Sequence, residues 1–249
     1  MYKEEAMEKL WQGKYRQIEF EFEGRQAILV MPEKPSGKWM LKTEYFEAFP
    51  ALEEEMVKRG YCLAYLKNIN RWGIHEDLDA KYRFRNFLME EYGLSPRCIP
   101  IGMSCGGLHA IKQAGRHPDM VSVLYADAPV VNILSCPFGF GAKSEISESA
   151  KQEALDALGM TFQQLLSYRD HPFDYLGRLI QARIPLALVC GDADRIVPYE
   201  ENGALVKAVY EETDIPFYFL LKEGCDHHPH GPYEKQLKET ADFLCKWDR

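Results

Sequence analysis

Short apolar runs alternate along this chain with stretches of helical spacing, and that rhythm restricts the fold more than any other feature. YCLAYL (61–66), CIPIGM (98–103), VSVLYAD (121–127) and LALVC (186–190) are too short for buried helices and almost uniformly apolar. They read as strands buried on both faces. Between them lie Glu44–Arg59, a helix that must absorb Pro50, and HEDLDAKYRFRNFLMEEYG (75–93), with Leu78, Tyr82, Arg85 and Leu88 at helical spacing and a stop at Gly93. CGGLHAIKQAGRH (105–117), a segment near 199–211 and a last one near 233–247 complete the helices, and KWMLK (38–42) and FYFLL (217–221) the strands. Strands alternating with helices predict an α/β fold, a mainly parallel sheet with helices on both faces.

The first strands differ. In YRQIEFEFE (15–23), Ile18, Phe20 and Phe22 alternate with Gln17, Glu19, Glu21 and Glu23, the pattern of a half-buried strand. Gly24 turns the chain into QAILVM (26–31), which predicts an antiparallel hairpin at one sheet edge. Residues 133–182 break the alternation with CPFGFG, a polar stretch and TFQQLLSYRDHPFDYLGRLIQ. Long interruptions of this kind are usually functional. We read residues 1–249 as a single domain in which 133–182 form a small helical cap.

Bulk properties exclude several partners. Hydrophobic residues at 46% of 249 suffice for a full core, and no run approaches the length of a membrane span. The net charge of −8 argues against nucleic acid. The charged start, MYKEEAMEKLWQ, has no signal-peptide core, so the expected compartment is the cytoplasm. Seven cysteines without a CxxC fit free, reduced thiols.

One turn carries chemistry. In GMSCGG (102–107), Ser104 stands between an apolar strand and a helix, flanked by Gly102 and Gly106. A G-x-S-x-G turn in that context exposes a serine hydroxyl at the top of a sheet. A nucleophilic serine needs a base, and the base an orienting acid. LALVCGDADRIVP (186–198) ends a strand in an acid-bearing turn, offering Asp192 and Asp194; YADAP offers Asp127 at the end of another. FYFLLKEGCDHHPHG (217–231) ends a strand in a loop bearing His227, His228 and His230. Ligands of open α/β sheets bind at such C-terminal strand ends.

With these motifs the chain resembles the α/β-hydrolase superfamily, most of all its bacterial esterase and prolyl-oligopeptidase-like members, from about residue 25 to the end except for the insertion. GMSCGG matches the nucleophile pattern, GDADRIVP the acid turn G-x-x-D-x-x-V-P and GCDHHPHG the base pattern G-x-x-H. The resemblance implies Ser104 as nucleophile, Asp194 as acid and His227 as base. It implies hydrolysis of an ester or related acyl bond through an acyl-enzyme, with neither cofactor nor metal. The backbone N–H of Cys105 would be one oxyanion donor. The HG motif that usually supplies the second is absent from WMLKTEYF (39–46), and the backbone of Thr43 takes its place by position.

Competing readings remain. His109 lies on the helix behind the turn and reads as a core or surface residue; Cys105 invites thiol chemistry. DHHPH with GDAD could ligate zinc, which would leave the serine turn without a purpose. A binding protein on the same scaffold would usually lack a triad member. Phe138, Phe140, Phe162 and Tyr168, mixed with Lys143, Glu145, Glu148 and Arg169, suggest an aromatic and polar pocket wall. The expected substrate is a short-chain acyl ester, on a carbohydrate or another small polar alcohol. A small peptidase or amidase would use the same residues.

Overall fold

In a computed structural model, residues 7–145 and 147–249 are described, with the side chains of Met7 and Glu8 left out. A nine-stranded sheet runs in the order β1-β2-β3-β5-β4-β6-β7-β8-β9. The strands are β1 Met7–Trp11, β2 Tyr15–Phe22, β3 Arg25–Met31, β4 Trp39–Lys42, β5 Cys62–Leu66, β6 Ile99–Met103, β7 Leu124–Asp127, β8 Leu186–Gly191 and β9 Phe217–Lys222. β1, β2 and β3 pair antiparallel, and β3 joins β5 antiparallel; from β5 to β9 every pairing is parallel. The sheet is thus the mainly parallel one expected, with the hairpin at its edge.

The helices are α1 Ala51–Lys58, α2 His75–Tyr92, α3 Cys105–Arg116, α4 Glu148–Leu158, α5 Phe162–Leu165, α6 Leu176–Gln181, α7 Gly203–Glu211 and α8 Glu234–Trp247. One apolar layer joins Leu29, Leu41 and Ala64 to Phe84, Leu88, Ile111 and Tyr210, from α2, α3 and α7. The other joins Met40, Leu63, Ile101 and Val189 to Met56, Val57 and Leu244, from α1 and α8. Burial on both faces explains why β5, β6 and β8 read as unbroken apolar runs.

Three expectations change. The helix placed at 44–59 starts only at Ala51, with Pro50 at its N-cap. Proline disfavours the α conformation in the residue before it, so Phe49 cannot be helical, and it sits at φ 48°. Residues 43–50 are released to form a turn beside Ser104. Gln17, expected on the solvent face of β2, is fully buried. β1, which the sequence reading did not anticipate, pairs with β2 at the sheet edge, and Trp11 and Tyr15 are buried in the apolar layer that contains Met56 and Val57 of α1.

The segment 133–182 contains α4, α5 and α6 and has its own apolar cluster. Phe138, Leu165 and Tyr168 pack there with Trp72, Cys105 and Leu108.

Candidate active site

Ser104 occupies the single residue between β6 and α3 at φ 54°, ψ −123°. Positive φ is unusual for serine and marks a strained turn held by its surroundings. Its N–H donates to the Asp127 carbonyl at 2.9 Å, and its carbonyl accepts from Val130 and Leu108 at 3.1 and 3.2 Å. Two glycines make the close packing possible. A Cβ on Gly102 would lie 2.1 Å from the Gly106 carbonyl oxygen, and one on Gly107 would lie 2.5 Å from the Pro129 side chain.

Asp194 follows β8, and His227 lies in the loop after β9. His227 Nδ1–H donates to Asp194 Oδ2 at 2.7 Å, and His227 Nε2 lies 3.1 Å from Ser104 Oγ. The other Asp194 oxygen, Oδ1, accepts from the N–H groups of Ile196 and Val197 at 2.9 and 2.8 Å. Those bonds keep the carboxylate turned toward the imidazole. Both side chains are almost wholly buried, 1% and 5% exposed, so water competes little for their hydrogen bond. A carboxylate can only accept, so Nδ1 carries the His227 proton and Nε2 presents a lone pair to the serine.

The neighbouring candidates have other partners. Asp192 Oδ1 accepts from the Gly224 N–H at 2.6 Å and ties two loops together. Asp127 accepts from His230 Nδ1–H at 2.8 Å, from the Gly231 N–H at 2.6 Å and from the Tyr125 hydroxyl at 3.0 Å. Burial opposes ionisation of Asp127, but the hydrogen bond from His230, the charge of Lys222 and the Gly231 N–H hold the carboxyl below its ordinary value. His228 is exposed and stacks on Phe49, ring centroids 5.6 Å apart. His109 is fully buried, with Nε2 3.2 Å from the Asn70 carbonyl, and burial pushes its basicity far down. Burial pushes the Cys105 thiol up to about 11, unfavourable to a reactive thiolate.

The oxyanion expectations divide. Cys105 is the first residue of α3, where an N–H has no acceptor within the helix. Thr43 is a correction: its N–H already donates to the Ile101 carbonyl at 3.1 Å, extending the β4–β6 pairing. Its carbonyl accepts from Asn68 Nδ2 at 2.7 Å, and its hydroxyl donates to the Gly106 carbonyl at 2.7 Å. Thr43 braces the serine turn and has no amide left for an oxyanion.

A pocket of about 330 Å³ opens on Ser104, with Tyr45, Phe49, Arg71, Met103 and Ile196 among its lining residues. The sequence reading singled out none of these five. Tyr45 and Phe49 come from the turn that Pro50 releases; the Pro50 constraint was their only signal. Arg71 is held by Glu153 of α4 in a two-point ion pair, Nε to Oε1 at 3.0 Å and Nη2 to Oε2 at 2.5 Å. The aromatic residues expected in the wall do not line this pocket. Phe138 and Phe140 both stack on Phe162, at 5.9 and 5.6 Å, and Tyr168 packs against His171. Phe138 and Tyr168 are buried in the insertion's apolar cluster, whereas Phe140 and Phe162 lie exposed on its surface.

Residues 60–247 match the sequence profile of the prolyl oligopeptidase family. Among solved structures, an acylaminoacyl peptidase of Pyrococcus horikoshii superposes with a TM-score of 0.70 at 15% identity, over 95% of this chain and 42% of that one. The chain therefore spans about two fifths of that relative's length. An esterase of Pyrococcus furiosus superposes with a TM-score of 0.64 at 15% identity, over 100% of this chain and 94% of that one. An S-formylglutathione hydrolase of Staphylococcus aureus gives 0.63 at 15% identity, over 94% and 98%. These likenesses carry the fold. Among the described residues no helix is long and apolar enough to cross a membrane.

Proposed function

Because the chain belongs to the prolyl oligopeptidase family, and so to the serine hydrolases of the α/β-hydrolase superfamily, we propose that it cleaves short-chain acyl esters through an acyl-enzyme on Ser104. The observation that carries this reading is the hydrogen-bonded line Ser104–His227–Asp194, at 3.1 and 2.7 Å, opening into a small pocket. As Ser104 Oγ attacks the carbonyl carbon, His227 Nε2 takes its proton. Asp194 stabilises the imidazolium and holds its orientation. The Cys105 N–H faces the developing oxyanion. His227 then gives the proton to the leaving alcohol, and water repeats the cycle on the acyl-enzyme.

Pocket size favours a short acyl group, since about 330 Å³ is at the lower end of ordinary ligand sites. Phe49, Met103 and Ile196 give apolar contact, while Arg71 and Tyr45 suit a polar alcohol portion. With the insertion's aromatic rings turned away, nothing in the wall singles out a carbohydrate. The segment 133–182 serves as a cap, a reading supported by the Arg71–Glu153 pair that ties α4 to the pocket wall. The seven free cysteines suit a reducing compartment such as the cytoplasm.

A second reading is a small peptidase or amidase using the same three residues. Arg71 favours it: a guanidinium on the wall of the site can hold the carbonyl or carboxylate of a peptide. One neighbour in structure is named an acylaminoacyl peptidase. The test compares kcat/KM for nitrophenyl esters of two to twelve carbons with acylaminoacyl nitroanilides. A maximum at two to four carbons supports the esterase. A maximum at eight or more removes the short-chain reading, and an anilide faster than every ester selects the peptidase.

A further inference from the structure

The loop after β9 holds three histidines within four residues, and the reaction proposed above uses only His227. His227, His228 and His230 each offer a ring nitrogen, and these atoms lie within 4.8 Å of one another. The ring centroids are 4.9, 4.7 and 5.0 Å apart in the three pairs, with planes crossing at 62°, 80° and 86°. The rings converge edge to face and do not stack. Two of them are already oriented as ligands. Asp194 accepts from His227 Nδ1–H at 2.7 Å and Asp127 from His230 Nδ1–H at 2.8 Å. Each imidazole therefore keeps its Nε2 lone pair, and a carboxylate behind a histidine is the usual support of a metal ligand. His228 is exposed, so its ring can turn to complete the set.

Three imidazoles suit zinc, copper or nickel and not magnesium or calcium, which take oxygen ligands. With nitrogens about 2.0–2.1 Å from a tetrahedral ion, neighbouring ligands sit about 3.4 Å apart. The present spacing, up to 4.8 Å, closes to that when the exposed His228 ring turns from Phe49 toward the other two. The two carboxylates behind the rings add negative charge that favours a dication.

We propose that His227, His228 and His230 form a site for a divalent transition-metal ion, zinc foremost, whose occupation reversibly silences the enzyme. The ion takes the His227 Nε2 lone pair that otherwise faces the Ser104 hydroxyl at 3.1 Å. Ser104 is left without a base. No covalent bond to the serine and no redox change is involved, and a chelator restores the lone pair. The inhibitory half rests on the reading of Ser104 and His227 given above; the binding half does not.

Zinc titration of the Ser104→Ala protein by calorimetry tests binding without reference to activity. One ion per chain is expected. His228→Ala and His230→Gln should each weaken binding at least tenfold, and Asp127→Asn by about 10–100-fold as an outer-shell change. Cobalt loaded at the site should show d–d bands with no thiolate charge-transfer band. Wild-type activity should fall over the same zinc range and return with EDTA, and His228→Ala should shift that range upward at least tenfold. Unchanged binding in both histidine variants, or a thiolate band, overturns the site. Inhibition at the same zinc concentration in His228→Ala overturns the inhibitory role. Activity surviving in Ser104→Ala would overturn the nucleophile while the titration still decides the metal site.

Discussion

Two Asp–His pairs stand side by side in this molecule. Asp127 ends β7 and holds His230; Asp194 follows β8 and holds His227. Each joins Nδ1 to a carboxylate, at 2.8 and 2.7 Å, and each is at most 5% exposed. What separates them is the far nitrogen. His227 Nε2 meets Ser104 Oγ at 3.1 Å, whereas His230 Nε2 has no hydrogen-bond partner among the described residues. Asp127 instead accepts from Tyr125 and Gly231, so its charge anchors the histidine loop to the sheet. Lys222 reinforces the anchor by donating to the Pro229 and Gly231 carbonyls at 2.6 and 3.1 Å. The two pairs thus differ not in the imidazole and its carboxylate but in reach: of the two, His227 alone meets the serine hydroxyl.

The largest effect should come from the serine end. Ser104→Ala should lower kcat by about 10⁴ or more with circular dichroism unchanged, and His227→Ala should be nearly as severe. Retention of a tenth of the activity in either would break the comparison at once. Asp194→Asn should cost about 10⁴ in kcat, because an amide can hold the wrong imidazole tautomer. Asp127→Asn should keep kcat within about tenfold of wild type, since its histidine does not face the serine. Equal losses in the two asparagine variants would show that the pairs are not functionally distinct.

Asp127→Asn should act on stability instead, by about 1–3 kcal/mol in thermal or denaturant unfolding at neutral pH. The sign follows from linkage. The Asp127 carboxyl is held below its ordinary value of 3.8 in the fold. Its contribution is complete above that value and is lost as pH falls through the folded one. The gap in Tm between wild type and Asp127→Asn should therefore be constant from pH 7 to 5 and shrink below about pH 3.9. A gap that widens in acid would reverse the assignment. The smallest effect belongs to His228→Ala, which should leave kcat without added metal within about threefold of wild type. A loss comparable to His227→Ala would move the base to His228.

The layers of the fold were legible because burial on both faces leaves a plain trace: uninterrupted apolar strands separated by helices. Ser104 was legible from its local context, strand before and helix after, and Asp194 and His227 from turn motifs that follow strands. Partners formed between distant segments were not. Asp127 and His230 are 103 residues apart, and only the parallel order of β7 and β8 beside β9 brings their ends together. Thr43 was misjudged because position along the chain does not reveal that its N–H is bonded to Ile101. The pocket wall escaped for a similar reason. Aromatic residues in an insertion look the same in sequence whether they face a substrate, fill the insertion's core as Phe138 does, or lie on its surface as Phe140 does.

Covalent labelling by a fluorophosphonate, read by intact mass and peptide mapping, tests the central claim most directly. Such a probe reacts with a serine only where a base and an oxyanion site activate it. One label per chain is predicted, mapping to Ser104, retained in Asp127→Asn and strongly slowed in His227→Ala and Asp194→Asn. A label on another residue, or equal labelling in the Ser104→Ala protein, would contradict the account.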